Sequence, residues 1–364
     1  MPASTAPYDA LLVVSFGGPE GPDDVIPFLE NVLRGRNVPR ARLEEVAEHY
    51  FHFGGVSPLN AQNRALIGAL EQELRAHGLE LPIYFGNRNW HPLLPDTLRR
   101  MAADGVRRAL AFLTSAYSSY SGCRQYRENL LAAQAQVGAQ APQLDRLRFF
   151  FNHPLFIQAN ADRLAQALDR FPPEQRDRVV LAFTAHSLPM EMARHSAYVE
   201  QLQETIRLVL AHLELPNSWE LVYQSRSGPP QQPWLEPDIL DHMEALAARG
   251  VQELVIVPIG FLSDHMEILY DLDTEAMDKG RELGMQVVRA ETVGTHPRFV
   301  AMIRELIQER IAAERGENPV RRALGNLGVN PDQCPPDCCL AGRPYRPRHV
   351  PGGATRPRRD TASL

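Results

Sequence analysis

The chain has 364 residues, 44% apolar and 23% charged, the balance of an ordinary globular protein long enough for two domains. A net charge of −6 and a pI near 6.1 argue against a nucleic-acid partner, whose footprint is a basic surface. No stretch approaches the roughly 18 apolar residues of a membrane span, and "MPASTAPYDA" at the N-terminus has neither region of a signal peptide, so a cytoplasmic protein is expected.

In chain order, short β-branched or aromatic runs alternate with longer helical patterns. The predicted strands are "ALLVVSF" (10–16), "PIYFG" (82–86), "ALAFLTS" (109–115), "LRFFF" (147–151), "RVVLAFT" (178–184), "ELVYQS" (220–225), "ELVIVPI" (253–259) and "QVVRAE" (286–291). Apolar residues three and four apart predict helices over 63–78 and 237–250, the second closed by Gly250. Continuous apolar strands separated by helices predict parallel sheets covered on both faces. Four strands per half predict an α/β fold of two similar domains, residues 1–172 and 173–330, joined at the polar "FPPEQRD" (171–177). Residues 331–364 form a cysteine-containing tail rich in proline and arginine; from "GRPYRPRH" onward it carries six arginines and is expected to be disordered.

Ligands of open parallel sheets bind beyond the carboxyl ends of the strands, so the strand exits carry the functional information. They include "GGPEGP" (17–22), "NRNWHP" (87–92), "AYSSYSGCRQY" (116–126), "AHSLP" (185–189), "SRSGPPQQPW" (225–234) and "GFLSDHMEIL" (260–269), a set that suggests an extended, partly aromatic cleft. "GGPEGP" is not a phosphate cradle, because its prolines remove backbone donors, and no nucleotide is expected. Ser187 lies outside any G-x-S-x-G elbow, which excludes a hydrolase nucleophile of that type. His186 alone reads equally as a hydrogen-bonded histidine at a strand end. In "SDHMEIL", Ser263 is a candidate N-cap; on a helix Asp264 and Glu267 share a face while His265 points away. Together, an imidazole and a carboxylate facing each other from two strand exits suit a divalent metal or proton transfer.

The blocks "FTAHSLP" (183–189), "YQSRSGPPQQPWLEPDI" (223–239) and "VPIGFLSDHMEILYDLDTEA" (257–276) resemble the signature blocks of the ferrochelatase family. "VVSFGGPEGPDDVIPFLENVLRGR" (13–36), "HYFHFGGVSPLNAQN" (49–63) and "SAYSSYSGCRQYREN" (115–129) are similar to its N-terminal blocks, most of all in Gram-positive and related bacteria, and the similarity runs in order from about residue 9 to 315. The resemblance implies two Rossmann-like halves with a porphyrin cleft between them. It implies Fe(II) as a substrate inserted into a porphyrin, coproporphyrin III in that bacterial branch, with protoporphyrin IX as the alternative. The family's metal-binding histidine falls on His186 and its essential carboxylate on Glu267, with Asp264 and His265 as polar supporting neighbours. Its substrate-contacting serine falls on Ser57 and a block tyrosine on Tyr126. Phe16 replaces a tyrosine that ligates iron in the product of Firmicute members. Arg34 and Arg36 are candidate partners for the porphyrin's propionates, or solvated loop arginines. On this reading His186 accepts pyrrole protons near its ordinary pKa of about 6.5. A tetrapyrrole or metal carrier is the non-catalytic alternative, nickel and cobalt chelatases of related fold are the catalytic one, and transient contact with neighbouring heme-pathway enzymes is the partner expectation.

Three of the four cysteines, Cys334, Cys338 and Cys339, lie within six residues of each other, and a reducing compartment disfavours disulfides. Several ferrochelatases hold a [2Fe–2S] cluster through three cysteines at this end and one earlier, so the resemblance implies such a cluster, with Cys123 as the fourth thiolate available. Free or zinc-binding thiols are the alternative.

Overall fold

Uninterrupted Leu, Val, Ala and Phe build the central strands, since a parallel strand with both faces covered needs no polar alternation. The computed structural model describes residues 7–35, 38–228 and 231–342. One sheet contains β1 (Ala10–Ser15), β2 (Ile83–Asn87), β3 (Arg108–Leu113) and β4 (Gln143–Arg146); the other contains β5 (Val180–His186), β6 (Trp219–Gln224), β7 (Glu253–Val257) and β8 (Gln286–Arg289). All pairings are parallel, in the orders β2-β1-β3-β4 and β6-β5-β7-β8. The two halves therefore repeat one topology, and the α/β fold of two similar four-stranded parallel sheets is as the sequence predicts.

Helices α1 (Pro22–Val32), α2 (Arg40–His52) and α3 (Leu59–Ala76) connect β1 to β2, and α4 (Leu94–Ala103) and α5 (Gln125–Val137) follow β2 and β3. After α6 (Pro154–Leu168) the second half runs through α7 (Met190–Arg194), α8 (Tyr198–Leu213), α9 (Ile239–Ala248), α10 (Met277–Glu282) and α11 (Pro297–Glu314). Gly250 lies just past α9 with φ at +81°, where its N–H and that of Val251 close the helix on Ala247 and Leu246.

One apolar core runs between the two sheets, and the other face of each sheet packs a core of its own. Helix α11 packs on both α3 and α6, and α6 packs on α8. Between them Phe112, Phe150, Phe156 and Phe299 form an aromatic cluster with ring centroids 5.3 to 6.3 Å apart.

The expected strand at 147–151 is not a strand. The fourth strand is the polar "QLDR" at Gln143–Arg146, in register with Arg108–Ala111. An edge strand has a single neighbour and tolerates polar residues. The ladder contact ends with the Leu147 N–H on the Ala111 carbonyl at 2.9 Å. Arg148 then turns away to form a bidentate pair with Glu309 of α11 at 2.7 and 2.9 Å. The three phenylalanines that follow are buried as core filler outside any ladder.

Among the described residues no helix is long and apolar enough to cross a membrane. The disorder expected of the tail concerns residues that, beyond Gly342, lie outside the described part of the chain.

Candidate active site

Because β5 lies between β6 and β7, the strand order reverses at the carboxyl ends of β5 and β7, where a crevice opens. His186 is the last residue of β5. Glu267 lies in the first helical residues after the loop that leaves β7, immediately before the π-helical segment Ile268–Ala276. The two meet with His186 Nε2 at 3.4 Å from Glu267 Oε1, and their side chains remain 32% and 41% exposed.

Both partners are held from behind. His186 Nδ1–H donates to the Ser187 carbonyl at 2.5 Å, which directs Nε2 at Glu267. The Tyr198 hydroxyl donates to the His186 carbonyl at 3.1 Å. Gln224 Nε2 donates to the Glu267 carbonyl at 2.9 Å. His265 Nδ1 accepts the Glu267 N–H at 3.1 Å, and its Nε2 lies 3.9 Å from Glu267 Oε2. Residues 263–265 are not helical, so His265 takes the capping part expected of Ser263 and points toward Glu267 instead of away. Asp264 does not share a face with Glu267; Arg289 at 3.2 Å and the Thr292 hydroxyl at 3.1 Å hold it, and its N–H donates to Gln62 Oε1 of α3 at 2.8 Å.

Burial opposes the charged form of both groups, but each is the other's counter-ion and the attraction prevails. His186 is held up at about 9 and Glu267 down at about 2. At neutral pH the pair is therefore imidazolium and carboxylate, which corrects the expectation of a histidine titrating at its ordinary value. Further along the π-helical segment, burial pushes Asp271 up to about 7. The Ser225 hydroxyl and Gln224 amide bonded to its Oδ2 oppose this shift, while the charge of Glu267 adds to it.

The first half supplies the facing wall. Phe16, 37% exposed, follows β1 and meets Phe28 edge-on at 6.3 Å, and Phe28 meets Tyr50 at 5.7 Å. Burial holds the Tyr50 hydroxyl protonated, and the charge of Glu267 reinforces this. Beside this row the Arg88 guanidinium sits 5.6 Å from the Phe16 ring and 4.3 Å from that of Tyr126. His49 of α2 stacks on Tyr270 of the π-helical segment at 3.7 Å with rings 8° from parallel, joining the two halves.

Residues 8–311 match the Ferrochelatase family. The chain belongs to the ferrochelatase family. It is 53% identical to the coproporphyrin III ferrochelatase of Streptomyces coelicolor over 97% of this chain and 98% of that one. It is 56% identical to the ferrochelatase of Rhodopirellula baltica over 96% and 97%. Among solved structures, SirB from Bacillus subtilis with Fe3+ aligns at a TM-score of 0.52 and 14% identity, covering 84% of this chain and 97% of SirB, a likeness of fold.

The other positions suggested by the ferrochelatase resemblance are placed unequally. Tyr126 is buried beneath Arg88. Ser57 is buried against Gly18, where a Cβ on that glycine would stand 2.7 Å from it, and its Oγ accepts the Leu59 N–H at 3.4 Å. Arg34 is exposed in the turn after α1, and Arg36 lies outside the described residues. Arg88 and Asp271 were not singled out from the sequence. Asp271 had one available signal, its position four residues after Glu267 in "EILYD".

Far from the His186 pair in sequence, the four cysteines come together. All are free thiols. Cys123, buried in the π-helical segment Tyr120–Arg124, stands close enough to Cys334 and Cys339 for the thiols to perturb one another, and Cys338 stands likewise beside both of those. Arg124 Nη1 donates to the carbonyls of Pro336 and Cys338 at 2.7 and 2.9 Å, and Arg127 Nη2 to that of Pro336 at 3.2 Å. Among the described residues no three His, Cys, Asp or Glu are arranged to hold one metal ion. The four thiols instead neighbour one another in a closed ring, and four thiolates are what a [2Fe–2S] cluster takes, so the donor set fits in number and kind.

Proposed function

We propose that this protein inserts Fe(II) into coproporphyrin III, with His186 and Glu267 as the groups that exchange protons and metal with the macrocycle. The observation that carries the reading is the facing pair itself, an imidazole and a carboxylate from adjacent strand exits in a partly open crevice. A carrier that only bound a tetrapyrrole would have no need of an opposed base and acid.

Metallation requires that two pyrrole N–H protons leave as the dication enters. The resting pair already holds one proton on His186, so that proton must depart before Nε2 accepts another. Glu267 at 3.4 Å is the first acceptor in reach. Asp271, held near neutrality, stands beyond it as a second carboxylate able to take a proton onward. Phe16 has no ligating atom, so the iron of the product takes no axial ligand from this position. Phe16 and the partly exposed Tyr50, backed by the buried Phe28, offer apolar surface to a flat ring, and Arg88 offers a cation to its propionates. Arg34, on the exposed turn, is a second cation for the rim, and Ser57 and Tyr126 support the wall from inside. We place the two catalytic halves at residues 1–172 and 173–330, and the protein in the cytoplasm.

The substrate choice is tested by kinetics with both porphyrins side by side. Four propionates need more cationic and polar partners than two, and relatives named coproporphyrin III ferrochelatase are about half identical to this chain. The expected result is a higher kcat/KM for coproporphyrin III; an equal or higher value for protoporphyrin IX would return the chain to the other branch.

We also propose a [2Fe–2S] cluster on Cys123, Cys334, Cys338 and Cys339. When bound, such a cluster supplies a one-electron centre and ties the tail to the first half of the chain. Anaerobically purified protein is expected to be red-brown, to bleach with dithionite, and to contain iron and acid-labile sulfide. Each single Cys→Ser variant is expected to lose most of that colour. A colourless protein with bound zinc would favour the alternative, and a fully coloured Cys123→Ser protein would exclude that ligand.

A further inference from the structure

We infer that Arg146 sets the reduction potential of the cysteine-bound cluster and holds its two halves together, an inference that rests on the cluster reading above. Arg146 ends β4, and its guanidinium reaches both parts of the cysteine group. Nη1 donates to Cys123 Sγ at 3.1 Å and Nη2 to Cys334 Sγ at 3.3 Å. The same Nη2 donates to the carbonyls of Pro331 and Asp332 at 3.4 and 3.3 Å. The guanidinium carbon lies 4.8 Å from the Phe149 ring centroid, so one face of the cation is covered by an aromatic ring.

This environment differs from that of the neighbouring arginines. Arg124 and Arg127 reach backbone carbonyls of the tail and clamp it mechanically. Among the described residues Arg146 is the arginine seen to donate to sulfur, and it joins sulfurs from the two halves of the chain. N–H bonds to ligating sulfurs and nearby charge are the levers by which a protein tunes such a cluster. Reduction brings one electron from an electrode through a mediator, adds one negative charge to an already anionic cluster, and makes or breaks no bond. A fixed cation with two N–H···S contacts stabilises the reduced form more than the oxidised one. Arg146 therefore raises the potential.

The test is a spectroelectrochemical titration of the full-length holoprotein beside Arg146→Met, Arg146→Gln and Arg146→Lys, with iron and sulfide content and melting temperature measured for each. In Met and Gln variants that keep the cluster, the equilibrium constant for reduction is expected to fall at least about tenfold, which is about 59 mV for one electron. The Lys variant is expected to stay closer to the parent. Loss of the cluster from both neutral variants with retention in Arg146→Lys also supports the inference, since charge is then what holds the thiolates. An unchanged potential in a cluster-bearing neutral variant overturns it while leaving the cluster in place. Loss from all three variants overturns it too, because shape and not charge would then be the requirement. A parent protein without iron and sulfide overturns the cluster reading and the inference with it, an outcome visible before any variant is made.

Discussion

His186→Ala is expected to lower iron insertion by about 10²–10⁴-fold, the range that a positioned acid–base group contributes. Porphyrin binding should change by no more than about tenfold, roughly 1.4 kcal/mol, because a flat ring is held mainly by the apolar wall that faces this residue. The split between the two readouts is the informative part. His186 keeps about a third of its side chain open to the crevice and spends its Nδ1–H on the Ser187 carbonyl. Only Nε2 is left for chemistry, and no second imidazole ends β5 to replace it. Binding is checked by fluorescence quenching of the porphyrin and turnover by anaerobic assay. More than a few per cent residual activity would show that the proton leaves by another group.

Glu267→Gln is expected to cost nearly as much in kcat, with the protein folded and the porphyrin still bound. The amide keeps the shape but removes the charge that holds His186 as imidazolium. On the proposed function it also removes an oxygen anion from the place where the dication would shed water. The fold should survive, because Gln224 and His265 hold the residue through its backbone carbonyl and N–H, which the substitution leaves in place. Near-normal turnover in this variant would reduce "SDHMEIL" to the start of a helix. Additivity with His186→Ala is informative as well: two groups acting as one unit give a double variant scarcely worse than either single one.

How much of this was legible in the sequence depends on what each residue type can signal. The central strands β1, β3, β5 and β7 announce themselves because burial on both faces leaves long apolar runs. From those runs follow the strand exits and, with them, His186 and Glu267. The edge strand β4 was misplaced for the converse reason. "QLDR" has the composition of a loop, whereas the "LRFFF" beside it has that of a strand, and only the Arg148–Glu309 pair and the shared core explain why the phenylalanines leave the ladder. Missing β4 also hid Arg146, whose importance lies wholly in what the tail brings to it. The π-helical segment after Glu267 was illegible too. Its wider turn follows no 3.6-residue pattern, and Asp271 owes its environment to Ser225, a distant residue at the left-handed φ of +61°. The charge state of His186 belongs to the same class: an imidazole in a sequence carries its ordinary pKa, and only its neighbour moves it.

The clamp of Arg124 on the carbonyl of Pro336 joins residues 212 positions apart. Non-local closure of this kind slows folding, since its entropy cost precedes the contacts that reward it. During synthesis residue 336 must have left the ribosome before the tail can reach its seat. Until then Arg146 waits beside a half-made nest of sulfur and carbonyl acceptors. Occupation of that nest therefore records that synthesis has passed the cysteine group, which a chain terminated before residue 334 cannot do.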